Sequence, residues 1–212
     1  MKRPNPNRLF VIGGVSGIFG TLCYVVAITV SINPVLSYSL AMAWPVFSII
    51  FVLSLYRFIS LGTQTFANQL AFLFACLAFT LLAAMISIQF AIGIGIDEQL
   101  TNLTMNQHAS LELMRSALRF VDMGLDVAWD LFIGTSLLFL SAALIMDSRF
   151  GRWWGIPSAF LGAALIILNI ISFPWPPNSR GLFDIGPVIG LYIISLSTRL
   201  FLFGRQEQIP NS

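Results

Sequence analysis

Glu112, Arg115, Arg119, Asp122, Asp126 and Asp130 follow one another at steps of three, four, three, four and four residues. On a helix turning 100° per residue, those steps hold all six side chains, and His108 before them, within roughly an 80° arc. The chain has only 11 Lys and Arg and 9 Asp and Glu in 212 residues, so this short stretch concentrates its charge. The upper part of the stripe can form i,i+3 pairs, Glu112–Arg115 and Arg119–Asp122. Near water such pairs are worth about 0.2–0.5 kcal/mol each. With His108 they read as a solvated helix face, or as a stripe that gates or docks a partner. Asp126 and Asp130 pose a different problem, because the residues after them are apolar enough to lie in lipid. Asp130 falls near 9 Å inside the span at the standard helical rise. An ionised carboxylate facing acyl chains there costs up to about 2.5–3.5 kcal/mol. Both carboxyls must face protein or water, or carry a proton.

Three other polar groups fall at similar depth in neighbouring spans: Gln89, Asn169 and Tyr192. Converging with Asp126 and Asp130, they would form a pocket open to the outer face that takes a cation, a protonated amine or protons. The competing reading is purely structural. Buried polar side chains also tie membrane helices together, by hydrogen bonds averaging about 0.6 kcal/mol.

The elements that must carry these residues follow from composition. The chain is 57% hydrophobic and 9% charged, where a soluble domain carries about 25% charged residues. Its apolar residues fall in blocks, and about 20 of them cross the hydrocarbon core as a helix. The fold class is therefore all-α, a polytopic membrane protein of six spans: 9–31, 36–56, 68–95, 121–146, 155–173 and 185–203. They make a single membrane domain over 9–203, with tails at 1–8 and 204–212 and an outer segment at 96–120. The stripe keeps its phase into the fourth span, which predicts one long helix over 107–146 projecting on the extracytoplasmic side. An interfacial helix bending at Gly124 is the alternative.

Orientation follows from Lys and Arg. With the N-terminus cytoplasmic, Lys2, Arg3, Arg8, Arg57, Arg149, Arg152, Arg199 and Arg205 lie inside, and only Arg115, Arg119 and Arg180 outside. That imbalance puts both termini in the cytoplasm. Leu9–Val30 is too long for a signal-peptide core and lacks an Ala-x-Ala ending, so it reads as a retained helix. Gly13, Gly17 and Thr21, flanked by Ser16 and Gly20, provide small residues for close helix packing. Pro45 should kink the second helix, and Arg199 should snorkel to the headgroups. Three spans on either side of 96–120 would set two halves in opposite orientation. The halves share no convincing sequence, and Pro45 has no counterpart inside the fifth span.

Much chemistry is excluded. His108 is the only histidine, no HExxH or GxSxG motif occurs, and there is no Walker loop. No metal site, catalytic constellation or cofactor is expected, and the balance leans against an enzyme. Lys2 is the sole lysine and is terminal, which removes a Schiff base within the bundle. Cys23 and Cys76 sit mid-span and suggest no disulfide framework. The thinly spread net charge of +2 does not suggest nucleic acid.

GGVSGIFGT in the first helix and SRFGRWWGIPSAFLGAALIIL entering the fifth resemble multipass families of bacterial inner membranes, in which an Arg-Trp-Gly turn leads into a Gly/Ala-rich helix. The resemblance implies an inner-membrane location and carries over no activity and no functional residue. Two readings stay open. One is a binding or transport protein using Asp126 and Asp130 with Gln89, Asn169 and Tyr192. The other is a structural or accessory protein whose stripe, Glu112, Arg115, Arg119 and Asp122, docks a membrane partner.

Overall fold

The structure, a computed structural model, describes residues 6–62, 64–100 and 105–206, and the side chains of 7–62, 64–95 and 109–206. The expected site residue His108 lies outside the described side chains. Six helices carry the chain: α1 (Pro6–Thr29), α2 (Pro34–Ser60), α3 (Phe66–Leu100), α4 (Met105–Met146), α5 (Arg152–Ser172) and α6 (Gly186–Gln206). All six are long and apolar enough to cross a membrane. The protein is an all-helical, multi-pass membrane bundle.

Helices α3 and α4 exceed what a bilayer requires. At 35 and 42 residues they run about 52 and 63 Å at 1.5 Å per residue. Much of the polar segment 96–120 is therefore helix, an extension of both α3 and α4. The fourth helix is continuous through Gly124, as one helix over Met105–Met146. Nothing meets the open side of Gly124, and an isolated glycine costs a helix only about 1 kcal/mol.

Backbone packing runs α6–α1–α2–α3–α4–α5 around the bundle. Small residues set the closest crossings. A methyl group added at Gly13 would strike Ser54, one at Gly17 would strike Ser197, and one at Gly14 would lie 2.6 Å from Cβ of Phe201. Gly134 and Gly162 perform the same service between α4 and α5, each facing the other's carbonyl. In lipid, where burial from water drives little, such close packing supplies the association.

The two ends of the bundle differ. At the proximal end α1 and α5 begin and α2 and α6 finish. Phe58 is packed there against Phe10 (4.9 Å), Phe203 (5.2 Å) and Phe150 (5.9 Å). Arg199 is half-buried: its guanidinium lies 4.2 Å over the Phe203 ring, a cation–π contact, and Nη2 donates to the Arg149 carbonyl in the proximal α4–α5 turn at 3.4 Å. Pro157 lies inside α5, so Pro45 does have a proline counterpart there. It stands in the second turn of α5, where it removes the amide that would otherwise bond the Trp153 carbonyl. The distal end carries the α1–α2, α3–α4 and α5–α6 connections.

Candidate functional site

A cavity of about 480 Å³ opens within the distal half of the bundle. Helix α4 contributes Asp126, Trp129 and Asp130 to its wall, the three residues of one turn that the i, i+3, i+4 geometry turns to the same side. Tyr24 and Ile28 come from α1, Trp44 from α2, and Leu82 and Met85 from α3. The α5–α6 connection supplies Pro177, Asn178 and Asp184, and α6 supplies Pro187, Gly190 and Leu191.

That connection is held by local chemistry. Pro177 opens a short 3-10 turn, Pro177–Arg180, and Gly181 ends it at φ 72°, a left-handed conformation that glycine adopts without a Cβ clash. Trp175 packs on Phe120 of α4 (5.7 Å), and the Arg180 guanidinium lies 5.9 Å over the Trp175 ring. Asp184 Oδ1 accepts the Gly186 amide at 2.8 Å, satisfying a donor at the start of α6. Among the described residues its second carboxylate oxygen accepts no hydrogen bond.

The electrostatics of the cavity are one-sided. Asp126, Asp130 and Asp184 line it, and no Lys, Arg or His is among its lining residues. Asp130 is 7% exposed. Asn169, fully buried on α5, donates Nδ2 to Asp130 Oδ2 at 2.7 Å and to the Leu165 carbonyl at 3.0 Å. Among the described residues no ion pair reaches Asp126 or Asp130. Aromatic rings border the same space: Tyr24 lies 4.3 Å from Trp44, and Trp44 lies 6.0 Å from Trp129.

The expected pocket residues divide into three groups. Asp126 and Asp130 share the cavity wall, while Asn169 stands behind Asp130 as its hydrogen-bond donor. Gln89 and Tyr192 are elsewhere. Gln89 is exposed and donates Nε2 to Asp122 Oδ2 at 3.2 Å, tying α3 to α4. Tyr192 donates its hydroxyl to the Trp154 carbonyl at 2.7 Å and borders a small core void of about 40 Å³. Gln89 stands beside Asp122, whereas the Tyr192 hydroxyl reaches the start of α5, toward the opposite end of that helix from the Asn169 that bonds Asp130.

In the stripe, Glu112 and Arg115 approach to 3.9 Å with both side chains largely exposed. Asp122 turns to Gln89 instead of Arg119, and its Oδ1 is buried without a partner. The opposite face, Leu113, Met114, Phe120 and Val121, is open. The site residues that sequence reading missed are Tyr24, Trp44, Trp129 and Asp184. Trp129 had a signal, since it stands beside Asp130 and three residues after Asp126. Asp184 had one too, as an acidic group just ahead of the sixth span.

Among the described residues, no group of three or more His, Cys, Asp or Glu could hold a metal ion. Comparison with protein-family models, with curated proteins and with solved structures finds no match to this chain. What the molecule itself defines is a class: an integral membrane protein of six helices with an acidic, aromatic-bordered cavity in its distal half.

Proposed function

We propose that the protein binds a cationic solute in the distal cavity, with Asp126 and Asp130 as the groups that hold it. The observation that carries this reading is the cavity wall itself: carboxylates with no basic side chain among its lining residues. Asp130 is buried and receives only an amide hydrogen bond from Asn169. A carboxylate in such a place is favoured by a cation or by a proton. Aromatic rings beside it add attraction for an ammonium group. Transport is the natural extension, with the distal face extracytoplasmic by the distribution of Lys and Arg and the membrane a bacterial inner membrane.

The test is ligand-dependent stability of purified protein against inorganic cations and alkylamines. A ligand that prefers the native state raises the unfolding midpoint by mass action. Asp126→Asn with Asp130→Asn should leave the protein folded and erase the shift. An undiminished shift in that double variant disposes of the reading.

The accessory reading is supported by a separate observation, the exposure of Glu112, Arg119 and Leu113 on the extended part of α4. It requires that Glu112→Ala with Arg119→Ala abolish recovery of a crosslinked membrane partner. Unchanged crosslinking in that variant removes it.

A further inference from the structure

The three cavity carboxylates are not equivalent, and their placement narrows the ligand. Asp126 and Asp130 stand one turn apart on α4, whereas Asp184 stands on the connection that leads into α6. Helix α4 packs on α3 and α5, and α6 packs on α1, so the two acidic positions belong to different walls of the cavity. The rest of the lining is mostly hydrocarbon and ring, Tyr24, Leu82, Met85, Trp129 and Leu191 among others, with Thr21 and Asn178 as polar members. A metal ion needs oxygen ligands converging on one point, and no such group occurs among the described residues. The volume, about 480 Å³, is in the range of organic-ligand sites.

Resting on the cation reading above, we infer that the ligand is an aliphatic diamine or short oligoamine lying across the cavity. One ammonium sits at Asp126 and Asp130 and a second at Asp184, with the methylene chain against the aromatic and aliphatic wall. Two features beyond the acidic residues support this. Asp130 is more than nine-tenths buried yet lines the cavity with its second oxygen unbonded among the described residues. The Tyr24, Trp44 and Trp129 rings line the same cavity, and such rings attract an ammonium and pack against its alkyl chain. Asp184 uses one oxygen to cap α6, which fixes the carboxylate while leaving the other oxygen to accept from a ligand.

The experiment is isothermal titration of the full-length protein in lipid nanodiscs with butylamine and with the series from 1,3-diaminopropane to 1,8-diaminooctane. The diamine of best-matched length should bind about fivefold to tenfold more tightly than butylamine, the effect of one added charged contact. Asp184→Asn keeps the side-chain oxygen that caps α6 and removes the charge. It should bring the diamine down to about the affinity of butylamine, weakening the diamine more than it weakens butylamine. Equal affinity of butylamine and every diamine, or no effect of Asp184→Asn, overturns the diamine inference and leaves the cation reading standing. Retention of all amine binding in Asp126→Asn with Asp130→Asn overturns the cation reading as well. Absence of binding by any amine to the unaltered protein overturns the inference outright, and sodium or potassium titrated in parallel then decides the cation reading separately.

Discussion

Two acidic side chains on one continuous stretch of chain, Asp147 and Asp130, are both buried, yet they live in opposite circumstances. Asp147, just past the end of α4, is 1% exposed and saturated. Its Oδ1 accepts from Arg149 N at 2.9 Å and Nε at 3.0 Å, and its Oδ2 accepts from Arg149 Nη2 at 2.6 Å. The same guanidinium donates to the Phe58 carbonyl at 2.7 Å and lies 3.8 Å over the Phe58 ring, closing the α4–α5 turn onto the end of α2. Asp130 has an amide for company and a cavity in front of it. The cause is local. A carboxylate at a turn can be met by an arginine two residues on, because the backbone reverses there. A carboxylate in mid-helix has as its neighbours on its own face only the residues three and four away, here Asp126, Val127, Ile133 and Gly134, and across the helix interface it finds the Asn169 amide. The proximal acid is thus a fastener, whereas the distal one has no cation beside it among the described residues.

The sharpest way to break this contrast is to remove the fastener. Arg149→Ala leaves Asp147 buried without its cation and frees the Phe58 carbonyl. Loss of one partner of a buried pair costs about 3–5 kcal/mol. Unfolding in detergent should reveal a destabilisation of that order. A loss below about 1 kcal/mol would show that Asp147 is not dependent on Arg149, and the two ends would cease to differ in kind.

The corresponding change at the distal end should act on binding and spare the fold. Asp126→Asn with Asp130→Asn should weaken amine binding by tenfold or more, the value of a charged hydrogen bond. Stability should change by less than about 1 kcal/mol, since no ion pair is broken and Asn at 130 still offers an oxygen to Asn169. Collapse of the fold in this variant would make Asp130 a structural group like Asp147.

Asn169→Leu isolates the one bond that Asp130 does have. It removes a buried donor and leaves the carboxylate oxygen without its amide, so a loss of about 1–3 kcal/mol is expected. The measurement is again the unfolding midpoint, and a ligand that satisfies Asp130 should restore part of the loss. Restoration by no cation would indicate that Asn169 merely fastens α4 to α5.

How far this contrast could be read from the sequence depends on which coordinate a residue pattern encodes. Steps of three and four along 112–130 encode azimuth on one helix, and the long α4 follows from them. The lengths of the apolar runs encode six crossings. Nothing local encodes which way one helix turns relative to another, and the five-residue pocket failed at that point. Gln89 turns to Asp122, and Tyr192 to the Trp154 carbonyl at the start of α5, away from the Asn169 that bonds Asp130. Arg149 was counted only as one of the positive charges of a topological rule, because a bond across a turn to Asp147 and Phe58 leaves no periodic trace. Tyr24, Trp44 and Trp129 look like ordinary membrane aromatics until the bundle brings them to one cavity.

The smallest expected effect concerns Gln89, and it tests whether the stripe above the cavity belongs with the fastener or with the site. Gln89 and Asp122 join α3 and α4 through a single bond at 3.2 Å on a partly exposed surface. A bond of this kind between membrane helices is worth about 0.6 kcal/mol, so Gln89→Leu should lower the unfolding free energy by roughly that much. It should leave amine affinity unchanged, because neither Gln89 nor Asp122 lines the cavity. A change in affinity larger than about threefold would mean that Asp122 is coupled to the acids below it. The boundary between structural and ligand-holding carboxylates would then lie one turn further up α4, between Arg119 and Asp122, and the α3–α4 extension would be part of the entrance to the cavity.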